Sequence, residues 1–257
     1  QGNTGIRLQE VSGGVINSIG LENPGIENFI NKQLPLMMSF DAVTIANLSG
    51  SSIETYVEGA KLLDKTNVPM IELNISCPNV KSGGMAFGLQ KDAAFEVTKA
   101  VRDVTKKPLI VKLSPNAPNL IEVADSVIKA GADALSLVNT FQAMAIDVEK
   151  ASLIFDNVKA GLAGPAIKPI ALRMVYDVCA YIKTVPESQR IPVIGLGGIA
   201  TWQDAVEFIM AGASAIQVGT ATFANPLCMI NIIDGIKDFM LRKGYKSIKD
   251  FCGLMLQ

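Results

Sequence analysis

Six short runs rich in Val, Ile and Leu recur along the chain, and stretches of helical periodicity separate them. They lie at Ala42–Asn47, Met70–Ile75, Leu109–Leu113, Ala134–Val138, Pro192–Leu196 and Ala215–Val218. Each is nearly continuous in apolar character, the pattern of parallel strands buried on both faces. The clearest helical period is Leu120, Val123, Ala124, Val127, Ile128, one apolar stripe at 3.6 residues per turn. Asn119 with Glu122 predicts its N-cap pair, and Ser51 with Glu54 and Thr201 with Asp204 predict two more. Gly131 and Gly212 stand where helices should stop before the next strand. A last helix is expected from about Pro226 to Arg242, then a short terminal piece over Ser247–Cys252. At the start, Arg7–Glu10 and Val15–Ser18 around Ser12–Gly13–Gly14 read as a β-hairpin.

Consecutive βα units fit a doubly wound sheet or part of a (β/α)8 barrel. The first run is not followed by GxGxxG, nor by an acidic residue about 20 positions on, so a dinucleotide fold is disfavoured. Gly195-Leu196-Gly197-Gly198 and Gly219-Thr220 instead follow the last two runs, where a barrel commonly builds its phosphate site. The expectation is an α/β fold of the (β/α)8 TIM-barrel type, one domain over residues 1–257, with the six runs as its third to eighth strands. The first two strands would then precede Gln1, in a segment on the order of fifty residues.

The 257 residues include no histidine. That removes Ser-His-Asp and Cys-His catalysis, HExxH zinc sites and imidazole bases together. With 23 Lys+Arg against 24 Asp+Glu, the chain offers no basic footprint for nucleic acid or an anionic membrane. No uninterrupted apolar stretch reaches the ~18 residues of a membrane span. Cys77, Cys179, Cys228 and Cys252 are scattered without CxxC or zinc-ligand spacing, which predicts a reducing cytoplasm and no metal site. Cys179, Cys228 and Cys252 read as small buried apolar residues.

In a barrel, functional groups lie at the C-terminal ends of strands. Asn47, Asn74, Lys112, Asn139 and Thr140 stand there, as do the glycine pairs above. One such Asn is most simply a strand stop. The set is harder to dismiss, because Lys112 sits between Val111 and Leu113, and a lysine in a buried-strand pattern needs an anion such as a phosphate or a reduced flavin. The richest stretch is Asn74-Ile-Ser-Cys77-Pro-Asn79-Val-Lys-Ser-Gly-Gly84-Met-Ala-Phe-Gly88. Its glycines suit a segment that closes over a ligand. A thiol there is only about 3% thiolate at pH 7, yet serves as a general base once water is excluded. The alternative, a covalent nucleophile, normally has an adjacent base, and no histidine is present to be one.

The stretch NISCPNVKSGGMAFG closely resembles the active-site loop of class 1 dihydroorotate dehydrogenases, and the resemblance runs through the whole chain. It includes INSIGLENPG at Ile16–Gly25, VKLSPN at Val111–Asn116, MAID at Met144–Asp147 and GLAGPAIKPIALRMVYDV at Gly161–Val178. GLGGI at Gly195–Ile199 and VGTATF at Val218–Phe223 complete it. The NVKxGG form resembles the NAD-linked subclass 1B catalytic subunit.

The resemblance implies an FMN-dependent oxidation of dihydroorotate to orotate in pyrimidine biosynthesis, with Cys77 as base. It implies substrate contacts from Asn17, Ser18, Ile19, Gly20, Leu21, Asn74, Asn79, Asn139 and Thr140. FMN contacts would come from Asn47, Asn74, Lys112, Val138, Gly164, Gly197, Gly198, Gly219 and Thr220. It further implies an electron-transfer partner subunit with FAD and a [2Fe–2S] cluster, on a homodimeric core within a heterotetramer.

Three departures stand out. A lysine that would touch flavin and substrate must lie upstream of Gln1. Thr184–Arg190 looks like an outer insertion. Ala163 replaces a more usual Ser. The competing readings are a fumarate-linked class 1A enzyme, a related dihydropyrimidine-type flavin barrel, and a flavin- or phosphate-binding scaffold without turnover.

Overall fold

The computed structural model describes residues 2–76 and 87–257. It opens with a hairpin of β1 (Leu8–Val11) and β2 (Gly14–Asn17). Val11 pairs with Gly14 across a two-residue turn, and Gly13 takes the left-handed φ of 74° that such a tight reversal favours. Each strand therefore lies one residue nearer the turn than expected. Short helices α1 (Ile26–Asn28) and α2 (Leu34–Met38), which the apolar pattern did not reveal, precede β3 (Ile45–Leu48). Helix and strand then alternate through α3 (Ile53–Asp64), β4 (Met70–Asn74), α4 (Lys91–Arg102), β5 (Leu109–Lys112), α5 (Leu120–Lys129) and β6 (Ala134–Leu137). Four short strands follow: β7 (Phe141–Ala143), β8 (Ile146–Asp147), β9 (Ser152–Leu153) and β10 (Ala160–Ala163). The chain continues through α6 (Lys168–Thr184), β11 (Val193–Leu196), α7 (Trp202–Met210) and β12 (Ala215–Gln217), then α8 (Ala221–Ala224) and α9 (Cys228–Lys243). This order is α/β. Among the described residues no helix is long and apolar enough to cross a membrane.

The chain divides into two compact units. The first comprises Ile19–Leu135 and the opening residues up to Asn3; the second comprises Thr4–Ser18 and Ser136–Gln257. In the first, β3, β4 and β5 form parallel ladders, with Asn47 opposite Glu72, Glu72 opposite Ile110, and Asn74 opposite Lys112. Side chains alternate along a strand, so Asn47, Glu72, Asn74 and Lys112 share one face. The other face carries Ala46, Leu48, Ile71, Leu73, Leu109 and Val111, all buried. Helix α3 approaches it closely, since a Cβ on Gly59 would come within 2.6 Å of Leu48 Cδ1. Its N-cap is Ser52 with Thr55, one residue later than the expected Ser51 and Glu54. The Ser52 hydroxyl accepts from the Thr55 N–H, and the Thr55 hydroxyl takes the reciprocal bond an acid would have taken. The Asn119–Glu122 cap of α5 forms as expected.

In the second unit an antiparallel sheet runs in the order β1-β2-β10-β7, over a core of Ile16, Phe155 and Ala160. Strands β11 and β12 pair in parallel. Contrary to the expectation of strands buried on both faces, β12 is only half covered, with Ala215 exposed, and Asn47 of β3 is likewise exposed. Helices α7 and α9 enclose Val206, Ile209, Phe239 and Phe251. Cys179 and Cys228 are buried as expected, whereas Cys252 is half-buried, its thiol 3.5 Å from the Ala213 carbonyl oxygen. Residues 184–190 carry one short 3-10 turn, Glu187–Gln189, and are mostly exposed.

The Thr201–Asp204 box at the start of α7 forms and does more than cap. Asp204 accepts from the Ala200 N–H (3.0 Å), the Thr201 N–H (2.9 Å) and Lys168 Nζ (2.8 Å). Burial pushes its carboxyl up, but these bonds outweigh burial and hold it below the usual value. Asp204→Ala is expected to lower stability by about 2 kcal/mol, read as a shifted urea midpoint. Because the folded pKa is depressed, the contribution is present above the unfolded value near 3.9 and lost as pH falls through the folded one. The gap between parent and variant should therefore close in acid; a gap that persists there would show the loss is packing.

Candidate functional site

In the first unit, one polar face gathers Asn47, Asn74 and Lys112. Asn74 ends β4, 9% exposed, and its Oδ1 accepts from the Ser76 N–H at 3.3 Å. The Tyr56 hydroxyl donates to the Asn74 carbonyl oxygen at 2.7 Å and so fixes where the strand ends. Lys112 ends β5 half-buried, with no hydrogen-bond or ion-pair partner among the described residues.

The loop Ile19, Gly20, Leu21 is held in an unusual shape. Gly20 and Leu21 have φ of 74° and 56°, the second in a region most side chains avoid. Asn23 secures it, its Nδ2 donating to the Leu21 carbonyl oxygen (2.6 Å) and its Oδ1 accepting from the Gly25 N–H (2.8 Å). Leu21 and Asn47 line one cavity of about 290 Å³, with Phe29 and Leu63. Cys77 and Asn79 lie outside the described residues.

In the second unit two groups form. Asn17 Nδ2 donates to the Gly161 carbonyl oxygen at 3.0 Å. A Cβ on Gly161 would overlap the Thr140 hydroxyl, so only glycine permits that approach. Thr140 N–H in turn donates to Asn139 Oδ1 at 2.9 Å, and the Ser18 hydroxyl accepts from Asn157 Nδ2 at 3.2 Å. Four predicted residues, Asn17, Ser18, Asn139 and Thr140, thus come with two the sequence reading missed, Asn157 and Gly161.

The second group surrounds Gly198. A Cβ there would stand 2.8 Å from both the Gly164 carbonyl oxygen and the Lys168 nitrogen, and one on Gly164 would stand 3.6 Å from Thr220 Cγ2. Val138 Cγ2 lies beside Gly197, 3.3 Å from where its Cβ would be. Gly219 faces open space, with nothing within 4 Å of its absent Cβ. Bare backbone beside open space fits a phosphate, which backbone N–H groups bind at close range.

The sequence matches the dihydroorotate dehydrogenase family over residues 1–240. The chain belongs to that family. A dihydroorotate dehydrogenase B (NAD(+)) catalytic subunit of Petrotoga mobilis is 52% identical over 99% of this chain and 83% of its own length. Proteins of the same name from Caldicellulosiruptor bescii and Parabacteroides distasonis are 51% and 49% identical, over 98% and 99% of this chain and 81% and 82% of theirs. Dihydroorotate dehydrogenases are flavin-dependent (β/α)8-barrel oxidoreductases, and this family member shares their α/β class.

Glu72 shares the face of Asn47, Asn74 and Lys112, a placement the resemblance alone does not single out. A carboxylate within the otherwise apolar Met70–Leu73 run was the available signal.

Proposed function

We propose that the chain is the catalytic subunit of an NAD-linked dihydroorotate dehydrogenase, oxidising dihydroorotate to orotate in pyrimidine biosynthesis in the cytoplasm. Residues 1–257 are assigned to one FMN-binding domain. The observation that carries the cofactor assignment is Lys112, half-buried and without a partner among the described residues, on the face it shares with Asn47 and Asn74. When bound, FMN supplies the acceptor for the hydride from C6 of the substrate.

The chain's own residues do the rest. Cys77 Sγ takes the proton from C5. Backbone and side chains of Asn17, Ser18, Ile19, Gly20 and Leu21, with Asn74, Asn79, Asn139 and Thr140, hold a flat ring that has amide edges and a carboxylate. Lys112 places positive charge where negative charge grows on reduction, and Asn47, Asn74 and Val138 orient the ring. Gly164, Gly197, Gly198, Gly219 and Thr220 present backbone to the phosphate.

The direct test is the visible spectrum of the purified protein. A flavin band that bleaches when dihydroorotate is added without oxygen is the expected result; no band, or a band dihydroorotate leaves unchanged, would refute the proposal. Lys112→Ala is expected to weaken FMN binding roughly 10–100-fold, the scale of one charge-assisted bond, and to slow flavin reduction. Unchanged flavin affinity and reduction rate would remove Lys112 from the site.

A further inference from the structure

The roles above leave one buried carboxylate without a task. Glu72 is 5% exposed, at the centre of β4, on the face it shares with Asn47, Asn74 and Lys112. Its strand neighbours Met70, Ile71 and Leu73 are apolar, so a carboxylate here is costly to bury unless bonded. Asn47 bonds it, with Nδ2 donating to Glu72 Oε2 at 2.5 Å.

That bond has a direction. A carboxylate only accepts, so only the NH₂ end of an amide can face it. The two ends of an asparagine amide are otherwise nearly equal in size and shape, and an unconstrained amide turns either way. With its nitrogen held inward by Glu72, Asn47 turns its Oδ1 away from the carboxylate. Asn47 is exposed, so the side of its amide turned away from Glu72 is open to a ligand.

We propose that Glu72 is a positioning residue: it locks the Asn47 amide so that a carbonyl oxygen, an acceptor, is presented to the cofactor. This rests on the FMN site proposed above. An acceptor there suits a ring that carries an N–H, and it disfavours a ring turned to offer a carbonyl. The same carboxylate puts negative charge on the face that carries Lys112, which opposes part of that lysine's pull on reduced flavin.

Glu72→Gln keeps the shape and removes both effects, because a glutamine amide can pair with either end of Asn47 and carries no charge. The expected result is FMN affinity lower by about tenfold. The flavin midpoint potential should rise, since loss of a nearby negative charge favours the more negative reduced form. A tenfold change in the ratio of the two affinities is about 30 mV for a two-electron couple.

The decisive experiment is a cycle of wild type, Glu72→Gln, Asn47→Ala and the double variant, with each apoprotein titrated with FMN by fluorescence quenching. If Glu72 acts through Asn47, the double variant binds no worse than Asn47→Ala alone. Additive losses, or Glu72→Gln binding and potential like wild type, would overturn the lock. If Glu72→Gln does not fold, Glu72→Asp runs the same cycle with a shortened carboxylate. Wild-type apoprotein that fails to take up FMN would instead remove the flavin site itself, an outcome distinct from a flavin-binding wild type with an indifferent Glu72→Gln.

Discussion

Cys77→Ser is expected to retain FMN and to lose roughly 10²–10⁴-fold of its turnover at pH 7, recovering part of it as pH rises. A serine hydroxyl in the same place is far harder to deprotonate than a thiol, so the loss should shrink where hydroxide assists ionisation. The remaining thiols make poor substitutes. Burial, with Cys252 nearby as a lesser cause, pushes Cys179 up to about 12, and burial also raises Cys252. With no histidine in the chain, an imidazole cannot take over. The flanks of the Cys77 segment are firmly placed. Tyr56 bonds the Asn74 carbonyl and meets the Phe87 ring edge-on at 5.8 Å, and the Gly88 N–H donates to the Ile75 carbonyl oxygen at 2.9 Å. Flavin content should survive the substitution, because the proposed cofactor contacts are Asn47, Lys112 and the glycines rather than Cys77. A variant that turns over like the parent at pH 7 would show that another group is the base.

The parallel strands were legible because each is a continuous apolar run, a pattern that burial between a helix layer and the sheet interior imposes on sequence. Strands β7 to β10 were not. They are only two to four residues long and include Gly161, too short for a periodicity to show, and β10 finds its partner β2 far away in sequence. The motifs MAID and GLAG lie partly on these strands, yet in the sequence they carry only a family resemblance. Asn47, Asn74 and Lys112 were visible as polar residues in strand patterns, and the ladder register then put all three on one face. Glu72 obeys the same rule, yet a lone carboxylate in a strand gains meaning only when the register sets Asn47 opposite it. The Ser52 cap shows the reverse limit. Ser51 with Glu54 fits the capping pattern equally well by spacing, and only the backbone decides that Thr55 closes the box.

The other large effect concerns where the electrons go. The sequence has no GxGxxG following a strand, and its cysteines lack iron–sulfur spacing. Among the described residues no group of acids and cysteines gathers in the manner of a metal site. The relatives are named as catalytic subunits of an NAD(+)-linked enzyme, which places another subunit beside them. For this chain the proposal is a stable complex with an electron-transfer subunit that carries FAD and a [2Fe–2S] cluster, two copies of each. The catalytic chain, purified without a partner and given dihydroorotate, is expected to reduce an artificial dye. Under the same conditions it should reduce NAD⁺ at least about 10²-fold more slowly, since loss of a positioned acceptor costs on this scale or more. Adding the partner should restore NAD⁺ reduction without changing the dye rate, because the proposal places the proton and hydride steps on this chain alone. Efficient NAD⁺ reduction by the isolated chain would sink the idea. Efficient use of fumarate would instead move the protein to the other soluble subclass, in which the acceptor must come directly to the flavin and no electron-transfer subunit is required.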